Sequence, residues 1–295
     1  MMVTDRLQKE ARELEPVLVE ALEGLSGVPQ ALRAAMAHAL LDGGKRLRPA
    51  LVLAACEAVG GTRAEGLPGA IALECLHSYS LVHDDLPCMD DDDLRRGRPT
   101  VHKAFGEAMA VLAGDALLTL AFESLTRGPA AADRKMRALR LLSEAGGAVG
   151  MVGGQALDLL AEGKEPKLEE VEEIHRRKTG ALIEAALGVG ALLGGGAPPL
   201  VEALRSYGRA LGLAFQIVDD CLDQTQTASE LGKTAGKDLE AGKVTWVACL
   251  GVEESLKQAR SLVSEAISAL GPIPLPNPHV GFLKELAFFV LSRSH

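Results

Sequence analysis

Six carboxylates crowd into ten residues of this chain: Asp84, Asp85, Asp90, Asp91, Asp92 and Asp93. Like charges at that density repel one another unless a cation neutralises them. Hard divalent ions suit these donors, because Mg²⁺ takes one or two carboxylates together with substrate phosphates and water. Arg95 and Arg96 close the stretch, and guanidinium groups match phosphate oxygens in both charge and shape. The chemistry written here is therefore metal-assisted handling of a phosphorylated ligand. A second acidic cluster, Asp219, Asp220 and Asp223, lies far downstream, and we expect the two clusters to face each other.

Basic groups complement the acids. In Gly43-Gly44-Lys45-Arg46-Leu47-Arg48-Pro49 two glycines precede the cations, and a proline follows in the first turn of an apolar segment. That order describes a helix N-terminus able to receive an anion. Lys178 falls on the apolar stripe Val171, His175, Leu182, Ala185 and Val189, where its charge must snorkel out or meet an anion. Lys178 and Thr179 are thus candidate diphosphate contacts. Lys233 and Lys243, among glycines after the second acidic cluster, are further candidate cations.

Periodicity supplies the elements that must position these groups. Val3, Leu7, Ala11, Leu14, Leu18 and Leu22 mark one face of a first helix, and a second runs over residues 30–41. Over residues 67–85, spacings of seven and four place His77, Ser80 and Asp84 on one helix face. Pro87 disfavours helix at Leu86, so the chain should bulge there and return Asp90, otherwise about 120° away, to the Asp84 face. Helices are expected over 101–125, 134–160 and 168–193, the second carrying Gly153, Gly154, Gln155 and Asp158 as a close-packing site with a polar pair. Over 201–223, Gln216, Asp219 and Asp223 recur beside the ridge Leu211, Phe215, Val218 and Leu222. Two more helices span 244–270 and 280–292. With no strand pattern, internal repeat or linker, the expectation is one all-α domain over 1–295, a single large helical bundle around a central cavity.

The composition sets bounds. A chain of 295 residues, 47% hydrophobic and 24% charged, can bury a large core. Its formal charge of -9 argues against a nucleic-acid partner. Five cysteines without zinc-type spacing suit a reducing compartment. Without a signal-type apolar core or an uncharged run of about 18 residues, we expect a cytoplasmic protein with no membrane span.

In the order of these motifs, over about residues 39–295, the chain resembles the short-chain trans-isoprenyl diphosphate synthases, or polyprenyl synthetases. The resemblance implies a homodimeric all-α bundle of the isoprenoid synthase type. It also implies Mg²⁺-dependent head-to-tail condensation of isopentenyl diphosphate with an allylic diphosphate, dimethylallyl or geranyl. Asp84, Asp85 and Asp90 on one side, and Asp219, Asp220 and Asp223 on the other, would hold several Mg²⁺ ions, with Mn²⁺ a candidate substitute. Arg95, Lys178, Thr179, Gln216, Lys233 and Lys243 would contact the allylic diphosphate. Gly44, Lys45, Arg48, His77 and Arg96 would hold isopentenyl diphosphate. The implied catalytic set is Asp84, Asp85, Asp90, Arg95, Lys178, Asp219 and Lys233, and no nucleophilic serine or cysteine is needed.

Chain length follows from one helix. Tyr79, five residues before Asp84, lies roughly 7.5 Å below a diphosphate anchored at the mouth, at ~1.5 Å per residue. An aromatic there, beside Ser80 and with the insertion Pro87-Cys88, resembles the bacterial-type farnesyl diphosphate synthases, so the expected main product is C15, with a C20 geranylgeranyl product as the alternative. A class I terpene cyclase is more remote, because such cavities use aromatic faces and aromatics are 3% of this chain. A non-catalytic regulatory subunit would carry a damaged acidic motif, and both motifs are intact.

Overall fold

A helix that is apolar all round has no face to give to water and must lie inside. The segment Ala181–Leu193 (α10) is such a helix apart from Glu184, which pairs with Arg205 and Arg209, and Leu182, Ala185, Ala186, Leu187, Val189 and Leu193 are all at 0% exposure. The computed structural model, which describes residues 3–41, 43–165, 167–225 and 245–292, builds the rest of the chain around it. Against α10 pack α3 (Leu47–Ala58), α4 (Arg63–Asp84), α7 (Ala132–Gly146) and α11 (Pro198–Thr225). Outside them lie α1 (Val3–Glu23), α2 (Gln30–Leu40), α5 (Val101–Phe105), α6 (Glu107–Thr126), α8 (Met151–Ala161), α9 (Leu168–His175), α12 (Trp246–Ala269) and α13 (Pro278–Ser292).

Local chemistry fixes the two helices that end in acids. The Thr62 hydroxyl accepts from the Glu65 amide while the Glu65 carboxylate accepts from the Thr62 amide. This capping box sets where α4 begins. Twenty-two residues later the helix ends at Asp84. α11 runs 28 residues beside α12, and Leu211 and Val218 are buried on the expected ridge. The α1 stripe is buried at Val3, Leu7, Leu14, Leu18 and Leu22.

Five sequence expectations need correction, the first being the 244–270 helix, which kinks within α12 at Gly251, where φ is 74° and ψ 166°. The 101–125 segment breaks at Gly106, whose φ of 86° no helix accommodates, giving α5 and α6. The 134–160 segment breaks between Gly146 and Met151, giving α7 and α8. The 168–193 segment contains a π-helical turn, Arg176–Gly180, between α9 and α10. A two-residue antiparallel ladder also forms, β1 (Leu94–Arg95) against β2 (Arg98–Pro99), with Arg95 opposite Arg98. Its turn residues Arg96 and Gly97 both have positive φ, 53° and 78°, as a tight primed hairpin turn requires.

Among the described residues α6 is long and apolar enough to cross a membrane by length and composition. It carries Glu107, Asp115 and Glu123 and packs along α4 within the bundle.

Candidate active site

The first acidic wall is built where α4 stops. Past Asp84 the backbone turns so that the Asp90 amide donates to the Asp84 carbonyl at 2.8 Å, the bulge expected from Pro87. The two carboxylates are thereby brought into each other's field. Burial pushes the Asp84 carboxyl up to about 6, Lys178 pulls it down, and Asp90 pushes it further up. A desolvated carboxylate with an acidic neighbour suits a hard cation.

Asp85 has a different environment. Its side chain is 4% exposed, and Arg95 Nε donates to both of its oxygens, at 2.8 and 3.0 Å. Burial raises the Asp85 carboxyl and Arg95 opposes that rise, while the same pairing raises Arg95. The two-oxygen geometry favours an ionised pair, which ties the hairpin bearing Arg95 and Arg96 to the end of α4.

The second wall is the end of α11, reached through the π-turn. Lys178 Nζ donates to Asp158 of α8 at 2.6 Å, and the Thr179 hydroxyl donates to Gln216 Oε1 at 2.8 Å. Gln216 Nε2 in turn donates to Asp220 Oδ1 at 3.3 Å. The Trp246 amide, at the start of α12, donates to Asp220 Oδ2 at 2.8 Å, and His175 Nε2 lies 3.5 Å from the same oxygen. Asp220 therefore joins α11, α9 and α12, whereas Asp219 and Asp223 share the ridge of Gln216. Burial lowers His175 to about 4, with Asp158 opposing, so the ring is neutral and stacks on Trp246 at 6.1 Å. Lys178 acts electrostatically on Asp84 and is bonded through its own turn to the α11 side. The turn that carries Lys178 is thus linked to the end of α4 by charge and to α11 by a hydrogen bond.

Two glycines make room for the π-turn. A Cβ on Gly154 would lie 2.3 Å from the Lys178 amide nitrogen, and one on Gly212 would lie 2.9 Å from the Gly180 Cα. Backbone can approach that closely only where no side chain intervenes.

Beside the acidic walls lies a cavity of about 540 Å³. Gly44, Lys45, Arg46, Arg48, Glu74, His77 and Arg96 line one part, and Leu7, Leu47, Phe215, Leu286, Phe289 and Val290 line the other. Arg96 lies over Gly44 and donates to the Gly43 carbonyl at 2.7 Å. Burial lowers His77 well below 6.5, and Arg48, Arg96, Arg95 and Arg46 lower it further, so it is a neutral hydrogen-bonding group. Among the described residues the non-glycine positions with positive φ are Arg46, Asp91 and Arg96, all in these loops. Strain of this kind collects where loops are held for binding.

Tyr79 is 5% exposed and meets the His83 ring edge-on at 5.7 Å. The Ser80 hydroxyl donates to the His77 carbonyl at 2.8 Å within its own helix. Lys233 and Lys243 lie outside the described residues.

The fold and these loops can now be set beside known proteins. The polyprenyl synthetase model matches residues 29–270. The chain belongs to that family. It is a member of the short-chain trans-prenyl diphosphate synthases, with their all-α isoprenyl synthase fold. It is 52% identical over 248 residues to geranylgeranyl pyrophosphate synthase 11, chloroplastic, of Arabidopsis thaliana, covering 82% of this chain and 70% of that one. Geranylgeranyl pyrophosphate synthetase from Pyrococcus horikoshii superposes with a TM-score of 0.89 at 34% identity, over 99% of this chain and 98% of that one. Geranyltransferase from Helicobacter pylori, solved with magnesium and isoprenyl diphosphate, superposes with a TM-score of 0.83 at 35% identity, over 99% and 97%. Two of these three carry the geranylgeranyl name, whereas Tyr79 led us to expect a farnesyl product.

Sequence reasoning missed the inward-facing Arg46 and its partner Glu74, the π-turn, and the roles of Asp158 and Trp246. The Gly153-Gly154-Gln155 run was a usable signal for the π-turn, because two adjacent small residues mark a close backbone approach.

Proposed function

We propose that this chain joins isopentenyl diphosphate to an allylic diphosphate head to tail, releasing pyrophosphate, and extends the product to C20. The observation that carries the reading is the adjacency of two unlike anion sites. One is bounded by carboxylates and Lys178, and the other is a basic cavity with a neutral histidine. An ionisable diphosphate needs the first, and a diphosphate that only has to be held in place needs the second.

Asp84 and Asp90 on one wall, and Asp219 and Asp223 on the other, would hold Mg²⁺. Oxygen donors suit it, and Mg²⁺ completes its shell with phosphate oxygens and water. When bound, the metal neutralises charge on the departing pyrophosphate. Arg95, Lys178, Thr179 and Gln216 bind and orient the allylic diphosphate, while Asp85 and Asp220 fix Arg95 and Gln216. The allylic C–O bond breaks with its electron pair going to pyrophosphate. The terminal alkene carbon of isopentenyl diphosphate, held by Lys45, Arg48, His77 and Arg96, then bonds to the allylic carbon. The proton lost from the adduct passes to pyrophosphate, and no protein nucleophile takes part. Fixed positive groups favour this ionisation because they meet more charge in the transition state than before it. Val111 and Leu112 remain exposed on α6, and we assign that apolar face to a homodimer contact.

The names of the Arabidopsis and Pyrococcus relatives support the C20 length. A C15 product is the second reading, favoured by the buried Tyr79 ring. Supplying labelled isopentenyl diphosphate with C5, C10 or C15 primers and sizing the dephosphorylated products separates them. Elongation of the C15 primer supports C20, and refusal of that primer with accumulation of C15 supports the second reading. Hydrocarbon released from an allylic diphosphate alone rejects both.

A further inference from the structure

Three cations stand together at Lys45, Arg46 and Arg48, and the fold turns one of them around. Arg46 adopts the left-handed conformation (φ 47°, ψ 39°) immediately before α3. Its side chain is 1% exposed and pairs with Glu74 of α4, itself 3% exposed. Arg46 also donates to the Leu40 carbonyl at 2.8 Å and to Glu15 at 3.1 Å. These partners lie on α2, α1 and α4, so one guanidinium fastens the loop to three helices. Lys45 and Arg48, on either side of it, line the basic cavity with His77 and Arg96.

A left-handed conformation is unfavourable for a non-glycine residue, so the surroundings must hold it. The buried Arg46–Glu74 pair does this. Glu74 is three residues before His77 on α4 and acts electrostatically on Arg48. Left unpaired, its carboxylate would compete for the cation that a diphosphate needs. Arg48 Nε is buried with no hydrogen-bond partner among the described residues, so this cation has donor capacity to spare for an incoming anion.

Resting on the condensation reading above, we propose that Arg46 and Glu74 are positioning residues for the non-allylic diphosphate. Their ion pair holds the left-handed turn that aims Lys45 and Arg48 into the cavity and withdraws Glu74 from competition. Both border the cavity, but the Arg46 donors are taken up by Glu74, Glu15 and the Leu40 carbonyl, so the pair acts through the loop and not as a diphosphate ligand.

Two variants test this, Arg46→Met and the double variant Arg46→Met/Glu74→Leu. Replacing both members of a buried pair by apolar groups is often tolerated, whereas removing one strands a charge. The single variant should raise KM for isopentenyl diphosphate about tenfold, the scale of one lost charge-assisted contact. KM for the allylic substrate should move no more than about twofold, as for an independent site. The double variant should regain melting temperature relative to the single while its KM for isopentenyl diphosphate stays above the wild-type value. Equal changes in both KM values, or a wild-type KM in the double variant, overturn the proposal and leave the pair a stability element. If the single variant does not fold, the double variant is read against wild type by the same split. If wild type fails to condense the substrates, the condensation reading is what fails. The positioning claim is then judged by calorimetry with inorganic pyrophosphate, which should bind the double variant about tenfold more weakly. Equal binding overturns it.

Discussion

Gly154→Ala isolates the π-turn as the device that aims Lys178 and Thr179. The added Cβ would lie 2.3 Å from the Lys178 amide nitrogen, where ordinary contact begins at 3.4 Å. The atoms it meets are backbone, at Lys178 and Arg177, so no side chain can rotate away. About 1.1 Å of separation must come from moving α8 or the turn, and a misplacement of about 1 Å at reacting groups can cost 10²-fold in rate. Overpacking of this kind also costs about 1–3 kcal/mol of stability. We expect kcat/KM for the allylic substrate to fall by about 10²-fold with the protein still folded, because the clash is local. Gly281→Ala is the control, since its Cβ meets nothing within 4 Å in α13, and it should keep wild-type kinetics. Steady-state kinetics with thermal melts decide the matter. A folded Gly154→Ala enzyme with a wild-type kcat/KM would refute the claim that the π-turn sets the geometry of the site.

Three further predictions follow from named contacts. Tyr79→Ala should lengthen the product by at least one isoprene unit, measured by sizing the dephosphorylated products; an unchanged distribution removes Tyr79 from the cavity floor. Asp85→Asn should destabilise by on the order of 2–3 kcal/mol, below the ~3–5 of a fully buried pair because Arg95 is partly exposed, whereas Asp84→Asn should keep the melting temperature and lose about 10²-fold or more of kcat. The reverse pattern would exchange the structural and metal-binding roles given to them. His77 is held neutral in the folded protein, with its pKa well below 6.5, while the unfolded chain takes up a proton as pH falls through about 6.5. Its contribution to stability is therefore complete above that pH and is lost as pH falls below it. Wild type should accordingly lose stability faster than His77→Gln between about pH 6.5 and 5 by at most 1.36 kcal/mol per pH unit, and parallel curves would contradict the neutral histidine.

Much of this was legible in the sequence because it lay in periodicity and charge. The apolar stripes of α1 and α11 predicted their buried faces, and Pro87 predicted the bulge that returns Asp90 to Asp84. Less visible was which of two adjacent like residues does what. Asp84 and Asp85 are chemically identical, and only the hairpin, which forms because Arg96 accepts a positive φ, delivers Arg95 to the second of them. Arg46 and Arg48 differ likewise only by a left-handed turn. The π-turn left no break in the stripe from Val171 to Val189, because both faces of the inserted turn are packed against glycine-bearing helices. Product length could not be read from Tyr79 alone, because the depth of a cavity depends on every helix around it.

The central claim is that the ends of α4 and α11 bound one metal–diphosphate site. Anomalous diffraction from crystals grown with Mn²⁺ and a non-hydrolysable allylic diphosphate measures that directly. The account predicts metal peaks between the diphosphate and carboxylates of both walls, Asp84 and Asp90 on one side and Asp219 on the other. Metal bound at only one wall, or a diphosphate seated away from both, would contradict it.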